Sequence, residues 1–366
     1  MTCVIFREHT TQDGYVIGEI CLNSERTLNA LSQEMIGLIQ PQLDVWQENP
    51  RVVALLLDSA GDKSFCAGGD VVGAWRLIEQ ESYAEIDEYF AAEYRLDYRL
   101  QTYPKPIICW GGGYVMGGGL GLMNGCSHRV VTPTSRLAMP EVTIGLFPDV
   151  GASYFLNRLP GKIGLFLGLT GSHVQAMDAL WLGLADYALR MDQRQPMLEQ
   201  LLVQDWNQGD NQAVITRVLS ELAVAAQPVF QEIVTPVQQH QSLINALLAD
   251  DSVKDFVDRL LALPADDPWL ARAQQTVSQG SPLSLCLIAE QLQRAQSLSL
   301  KAVFQFEMLL AAQCCRQGEF VEGVRALLVE KDKSPKWRFA SVESVTKDVL
   351  ESHFQPPWTV NPLATL

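Results

Sequence analysis

Glu141 and Asp149 stand eight residues apart in MPEVTIGLFPDVG, an apolar stretch whose prolines and glycines mark turns rather than a long regular element. Neighbours of that kind bury a carboxylate. Burial costs free energy unless the group is paired or used, and functional sites are where such costs are tolerated. Helix capping or a structural ion pair would fit the same pattern. Two glycine-rich segments offer a second kind of chemistry. In SFCAGGDV, Ser64 to Val71, two glycines precede Asp70 and a helical stretch, and GGGYVMGGGLG, Gly111 to Gly121, repeats the arrangement. Glycine lets a backbone come close to a ligand, and the free N–H groups at a helix start attract negative charge. A single loop of this type is ordinarily a tight turn. Two of them, each preceded by a buried-strand pattern, suit acyl chemistry, in which two N–H donors must converge on one oxygen.

Competing readings of these glycines lack their fingerprints. In a GxGxxG register, Gly117 and Gly119 would need glycine where Leu122 stands, and Gly119 with Gly121 would need it at Asn124. No P-loop spacing and no GxSxG elbow occurs. The eight cysteines form no CxxC pair and the five histidines no HxxxH or HExxH spacing, so we expect no metal and read the thiols as free and buried.

The elements that must position these residues alternate in type. DGYVIGEICL (13 to 22) and RVVALLLD (51 to 58) read as strands, and Leu31, Met35, Leu38, Ile39, Leu43 and Trp46 between them have helical spacing. After Asp70 an amphipathic stretch runs to about Tyr103, followed by the PIICWGGGYV and HRVVTP strand candidates. Residues 1–190 thus read as an α/β domain holding both the loops and the carboxylates. From 191 to 366 Gln, Leu and Ala dominate, helical spacing persists through LKAVFQFEMLLAAQCCRQ, Ser281-Pro282 suits a helix start, and the region reads as mainly helical.

A formal charge of −15 and a pI near 4.8 argue against nucleic acid or an anionic membrane as partner. The apolar runs are shorter than the roughly 20 residues that span a bilayer. MTCVIFREHT lacks a secretory pattern, so cytoplasmic residence is the expectation.

SFCAGGDV, VMGGGLGL and MPEVTIGLFPDVGASYFLNRLPG together resemble the crotonase (enoyl-CoA hydratase/isomerase) superfamily. IGLFPDVG, AAEYRLDY around Glu93, the long helical insert and EGVRALLVEKDKSPKW resemble its 3-hydroxyisobutyryl-CoA hydrolase branch. The resemblance covers nearly the whole chain and is weakest from 190 to 280. It implies a crotonase fold, with repeated ββα units forming a spiral core and a helical C-terminal region.

Carried over residue by residue, the resemblance makes Gly69 and Gly118 the oxyanion donors and Glu141 the acting carboxylate, assisted by Asp149. It sets Glu93, Ala67 and Asp70 against the substrate as well. In the hydratases a further glutamate lies three residues after the middle glycine of the second triplet; here that position is Gly121. This departure implies hydrolysis in place of hydration, of a short 3-hydroxyacyl-CoA such as 3-hydroxyisobutyryl-CoA, to 3-hydroxyisobutyrate and CoA, a step of valine catabolism. Glu141 either activates water or attacks the carbonyl. An enoyl-CoA hydratase or isomerase, or a silent CoA-binding protein on the same fold, is the alternative. No cofactor beyond the CoA of the substrate is implied. Arg26, Lys63 and Lys331, with Lys333 and Lys336, are the candidates for the CoA phosphates. A homo-oligomer is compatible with a superfamily in which trimers and hexamers are common.

Overall fold

VVALLLDS and IICWG show no alternation of polar and apolar residues, as suits strands covered on both faces. In the computed structural model, which describes residues 2–207, 209–250, 252–317 and 319–366, they form β3 (Val52–Ser59) and β5 (Ile107–Gly111) in the middle of a six-stranded sheet. β1 (Val4–Thr10) and β2 (Val16–Leu22) lie on one side of this pair, β7 (His128–Val131) and β10 (Tyr187–Ala188) on the other, in the order β1-β2-β3-β5-β7-β10. Within this sheet, among the described residues, only the β1–β2 pair is antiparallel. A smaller sheet joins β4 (Ser64–Cys66), β6 (Tyr114–Met116), β8 (Arg136–Ala138) and β9 (Val174–Gln175) in that order. β1 escapes a sequence reading because VIFREHT mixes exposed charge with apolar residues, the composition of an edge strand.

Contacts gather into two compact units interleaved along the chain. The first takes in the chain up to Gly69, Arg99–Leu137 and Val174–Gln238; the second takes in Asp70–Tyr98, Ala138–His173 and Gln239–Leu366. No single cut, at residue 190 or elsewhere, separates them.

Within the first unit, the helix Gln33–Glu48 starts at Ser32, whose side chain accepts the Met35 N–H, and buries Met35, Ile36, Ile39, Leu43 and Trp46. Leu38, expected on that stripe, is exposed. Ile17, Leu56, Ile108 and Val130 of the sheet pack with Met197 and Leu201 of the helix Arg194–Leu202 and with Val214, Ile215, Val218, Leu219 and Leu222 of the helix Asn211–Phe230. By length and composition Asn211–Phe230 could cross a membrane. Its apolar face is instead used to cover the sheet.

The second unit is largely helical. Pro282–Ala295 begins with Pro282 at its first turn, and the Ser281 side chain accepts the Ser284 N–H, so the Ser-Pro start is realised. Leu300–Gln317 follows, with Val303, Phe304, Met308 and Leu310 buried.

Candidate active site

Gly69 lies where the chain leaves β4. Leu31 bridges it in parallel, the Leu31 N–H donates to the Gly68 carbonyl at 2.8 Å, and the Ala67 N–H donates to the Leu28 carbonyl at 3.1 Å. Gly68 sits at φ 110°, a conformation closed to other residues. A methyl group on it would stand 3.4 Å from the Met116 carbonyl oxygen and 3.9 Å from the Gly118 nitrogen. The two glycine loops are therefore neighbours within the first unit. Gly118 is the first residue of the short helix Gly118–Asn124, where an N–H has no intrahelical acceptor. Among the described residues, neither the Gly69 nor the Gly118 N–H donates to a protein acceptor. Two donors on adjacent loops suit an oxyanion.

Asn29 supports this arrangement, and sequence reasoning passed over it. It is buried, adopts φ 57°, accepts the Ser24 N–H at 2.8 Å, and donates to the Ala60 and Ser64 carbonyls at 3.0 and 2.9 Å. Gly119 lets the helix seat on β4, since a Cβ there would meet the Cys66 carbonyl oxygen at 2.3 Å. Gly119→Ala is expected to cost about 1–3 kcal/mol of stability by overpacking, read as a lowered midpoint in thermal or urea unfolding. An unchanged midpoint would refute the close seating.

The carboxylates belong to the second unit. Along the helix Tyr83–Gln101, the buried stripe Ile86, Phe90, Glu93, Asp97 and Leu100 has helical spacing, so Glu93 faces inward and is 3% exposed. Tyr89, one turn earlier, hydrogen-bonds Glu93 through its hydroxyl. Glu141 opens the 3-10 turn Glu141–Ile144 and is buried. Gly145 ends that turn at φ 70°, and its lack of a Cβ leaves room for the Glu319 carbonyl. Asp149, also buried, accepts the Tyr94 hydroxyl at 2.7 Å. Glu141 Oε2 has no hydrogen-bond partner among the described residues. An acid kept from water with a lone oxygen free is available to an incoming group.

Burial pushes all three acids up, and for Glu93 and Glu141 the charge of Asp149 adds to it. Asp149 is raised to about 6 by burial, against the pull of the Tyr94 hydroxyl. Glu93 is raised to about 8 by burial and then by the Asp149 charge, partly offset by Tyr89. Glu141 lies well above the usual carboxylate range, first from burial and then from the charges of Asp149 and Glu93. The acids are coupled, and the Asp149 charge favours the protonated form of both glutamates.

A reaction that needs ionised Glu141 must therefore lose rate as pH falls through a raised midpoint. Removing the Asp149 charge lowers that midpoint. We expect the acid limb of kcat/KM, followed between about pH 5 and pH 9, to move to lower pH in Asp149→Asn, whatever the loss in amplitude. A limb that stays in place would show that Asp149 does not control the proton on Glu141.

The remaining residues expected at a site are placed less tellingly. Ala67 and Asp70 flank the first glycine pair, and the Asp70 carboxylate caps the helix Val71–Glu79 by accepting the Gly73 N–H at 3.0 Å. Arg26, Lys63, Lys331, Lys333 and Lys336 are all exposed. Lys331 and Lys333 adopt φ 58° and 55° just beyond the π-helix Arg325–Val329. Arg26 and Lys63 belong to the first unit and the three later lysines to the second. The cysteines are free thiols, six of them buried. No cluster of three or more His, Cys, Asp or Glu among the described residues could hold a metal.

The sequence profile of the enoyl-CoA hydratase/isomerase family matches residues 17–354. The chain is 36% identical over 342 residues to "3-hydroxyisobutyryl-CoA hydrolase, mitochondrial" of Gallus gallus, covering 93% of this chain and 86% of that one. It is 35% identical over 343 residues to the protein of the same name from Homo sapiens, covering 92% and 86%. Among solved structures, an enoyl-CoA hydratase from Rhodobacter sphaeroides superposes with a TM-score of 0.83 at 31% identity, over 97% of this chain and 98% of that one. A carnitinyl-CoA dehydratase from Mycobacterium thermoresistibile superposes with a TM-score of 0.86 at 31% identity, over 100% and 99%.

Proposed function

The chain belongs to the enoyl-CoA hydratase/isomerase family and has the crotonase fold, and from that premise we propose that it hydrolyses a short 3-hydroxyacyl-CoA thioester, 3-hydroxyisobutyryl-CoA, to 3-hydroxyisobutyrate and CoA. The observation that carries the choice of hydrolysis is the carboxylate inventory. Position 121, where a hydratase has its further glutamate, is a buried glycine inside the helix Gly118–Asn124, while Glu93, Glu141 and Asp149 are gathered and buried in the second unit. Addition of water across a double bond uses two acids facing one substrate from those two positions. One of them is missing here. The two solved structures are named for hydration and dehydration, but the relatives named as hydrolases are the more similar in sequence.

In this reading the Gly69 and Gly118 N–H groups hold the thioester oxygen as its charge grows. Glu141 supplies the nucleophilic push. Either it takes a proton from water, whose oxygen bonds to the carbonyl carbon, or its own oxygen bonds there and water later cleaves the anhydride. In both routes the C–S bond breaks, the sulfur leaves as CoA thiol after protonation, and water ends in the carboxylic acid. Asp149 orients Glu141 and carries the proton. Glu93 hydrogen-bonds the 3-hydroxyl of the acyl group, and an acyl group without it leaves this buried carboxyl one partner short, which is a strong basis for selection.

The reading includes no cofactor, exposed basic residues at the CoA phosphates, a cytoplasmic enzyme and a homo-oligomer, the last measured by light scattering. Its central test is a panel of acyl-CoA substrates scored for free thiol beside ultraviolet detection of crotonyl-CoA hydration. We expect thiol release from 3-hydroxyisobutyryl-CoA, with isobutyryl-CoA slower by on the order of 10²-fold or more. Robust hydration without thiol release would reverse the assignment.

A further inference from the structure

Val150 lies at φ 53°, in the left-handed region that a β-branched residue enters only under constraint. It is buried, follows Asp149 directly, and is itself followed by Gly151 at φ 85°. Two helices of the C-terminal region hold this turn closed. Glu307, on Leu300–Gln317, accepts the Gly151 N–H on Oε2 at 2.7 Å and the Ser153 N–H on Oε1 at 2.8 Å. Gln291, on Pro282–Ala295, donates from Nε2 to the Pro148 carbonyl at 2.6 Å and to the Ser153 hydroxyl at 2.7 Å. Both side chains are fully buried. Four hydrogen bonds thus bracket Asp149 and Val150 from either side. The helices that supply them contribute none of the acids assigned to catalysis.

A buried glutamate that accepts backbone N–H groups cannot be exchanged for apolar packing without leaving those donors unpaired. Here its two acceptor oxygens take the Gly151 and Ser153 N–H groups of a single strained turn, and the product of that turn is the direction of one carboxylate. Asp149 meets Tyr94, a residue with no exposed surface, at 2.7 Å. A relaxed Val150 would swing Asp149 away from this contact.

We propose that Glu307 and Gln291 are positioning residues: they hold the Val150 turn in its strained form and so aim Asp149 at Tyr94 and the buried acids, governing turnover rather than substrate affinity. The inference rests on the thioester-hydrolase reading for its kinetic consequence and on geometry for the clamp. Displacements of about 1 Å at a reacting group can cost 10²-fold.

The test compares Glu307→Gln and Gln291→Met with Asp87→Asn. Asp87 is buried and bonded to Arg316 and to the Trp358 indole N–H, each within 2.7 Å, so its replacement destabilises the same unit without touching the turn. Kinetics are followed by thiol release from 3-hydroxyisobutyryl-CoA well below each melting temperature, and hydrogen–deuterium exchange is read over residues 150 to 153. Glu307→Gln is expected to lower kcat by roughly tenfold or more with KM within about threefold, and Gln291→Met to do the same more weakly. Both should speed exchange in the turn, and Asp87→Asn should change neither. If Glu307→Gln does not fold, Gln291→Met carries the comparison. Unchanged exchange in the turn overturns the clamp. Faster exchange with wild-type kcat overturns its role in turnover. A wild-type protein that releases no thiol overturns the hydrolase reading instead, and the exchange result still decides the clamp.

Discussion

Glu141→Gln is expected to abolish most thiol release, by about 10²–10⁴-fold in kcat, and to leave a protein at least as stable as the wild type. The two halves of this result share a cause. Glu141 is 5% exposed, Asp149 and Glu93 both repel its charge, and Oε2 finds no donor among the described residues. Ionising it in that setting costs folding free energy, and that cost is tolerated where the charge is used. Glutamine keeps the shape, carries no charge, and so removes the cost together with the chemistry. The variant should melt at or above the wild-type temperature and bind a non-hydrolysable thioether analogue with near wild-type affinity, because the contacts to CoA are untouched. Loss of binding would recast Glu141 as a substrate contact, and wild-type thiol release would remove it from the mechanism. Either finding would be decisive, since both of the proposed routes, general-base and nucleophilic, pass through the Glu141 carboxylate.

Much of the candidate site could be read from the chain because its glycines and two of its acids sit in local patterns. The glycine loops announce themselves by composition, and the buried setting of Glu141 and Asp149 follows from apolar neighbours and turn residues within a few positions. Glu93 is picked out by the resemblance alone, since an acid on an amphipathic helix is ordinarily solvent-facing; it is the buried stripe Ile86, Phe90, Glu93, Asp97 and Leu100 that turns it inward. Glu307 gave a similar signal as a lone acid inside the apolar run LKAVFQFEMLLAAQCC, but its partners, the Gly151 and Ser153 N–H groups, lie some 155 residues away and no local pattern connects them. The interleaving of the two units was hidden for the same reason. Residues 70–98 and 138–173 join the C-terminal helices through contacts distant in sequence, whereas composition changes near 190 and suggests a cut there. Asn29, inside a polar loop, looked like ordinary turn chemistry until its bonds to the Ala60 and Ser64 carbonyls tied that loop to the start of β4.

Gly118→Pro is expected to lower kcat by on the order of 10²–10³-fold, the usual consequence of losing one oxyanion donor, while the fold survives. Proline is tolerated at the first residue of a helix, where its missing N–H is one of the unpaired donors in any case and its φ near −65° suits the helix. Gly118 occupies that position. The preceding residue, Gly117, sits at ψ −122°, outside the α region that a following proline disfavours, so the backbone need not move. Everything the substitution takes away is therefore concentrated at one nitrogen, and its ring carbons fill the space into which that N–H points. Circular dichroism and the melting temperature should stay close to wild type while thiol release collapses. If the variant folds and turns over normally, the donor must lie elsewhere, and the Gly69 N–H, held in place through Leu31, would have to stabilise the thioester oxygen alone. A single donor seldom suffices for acyl transfer, because the charge that builds on the oxygen is balanced by converging dipoles in a site emptied of water.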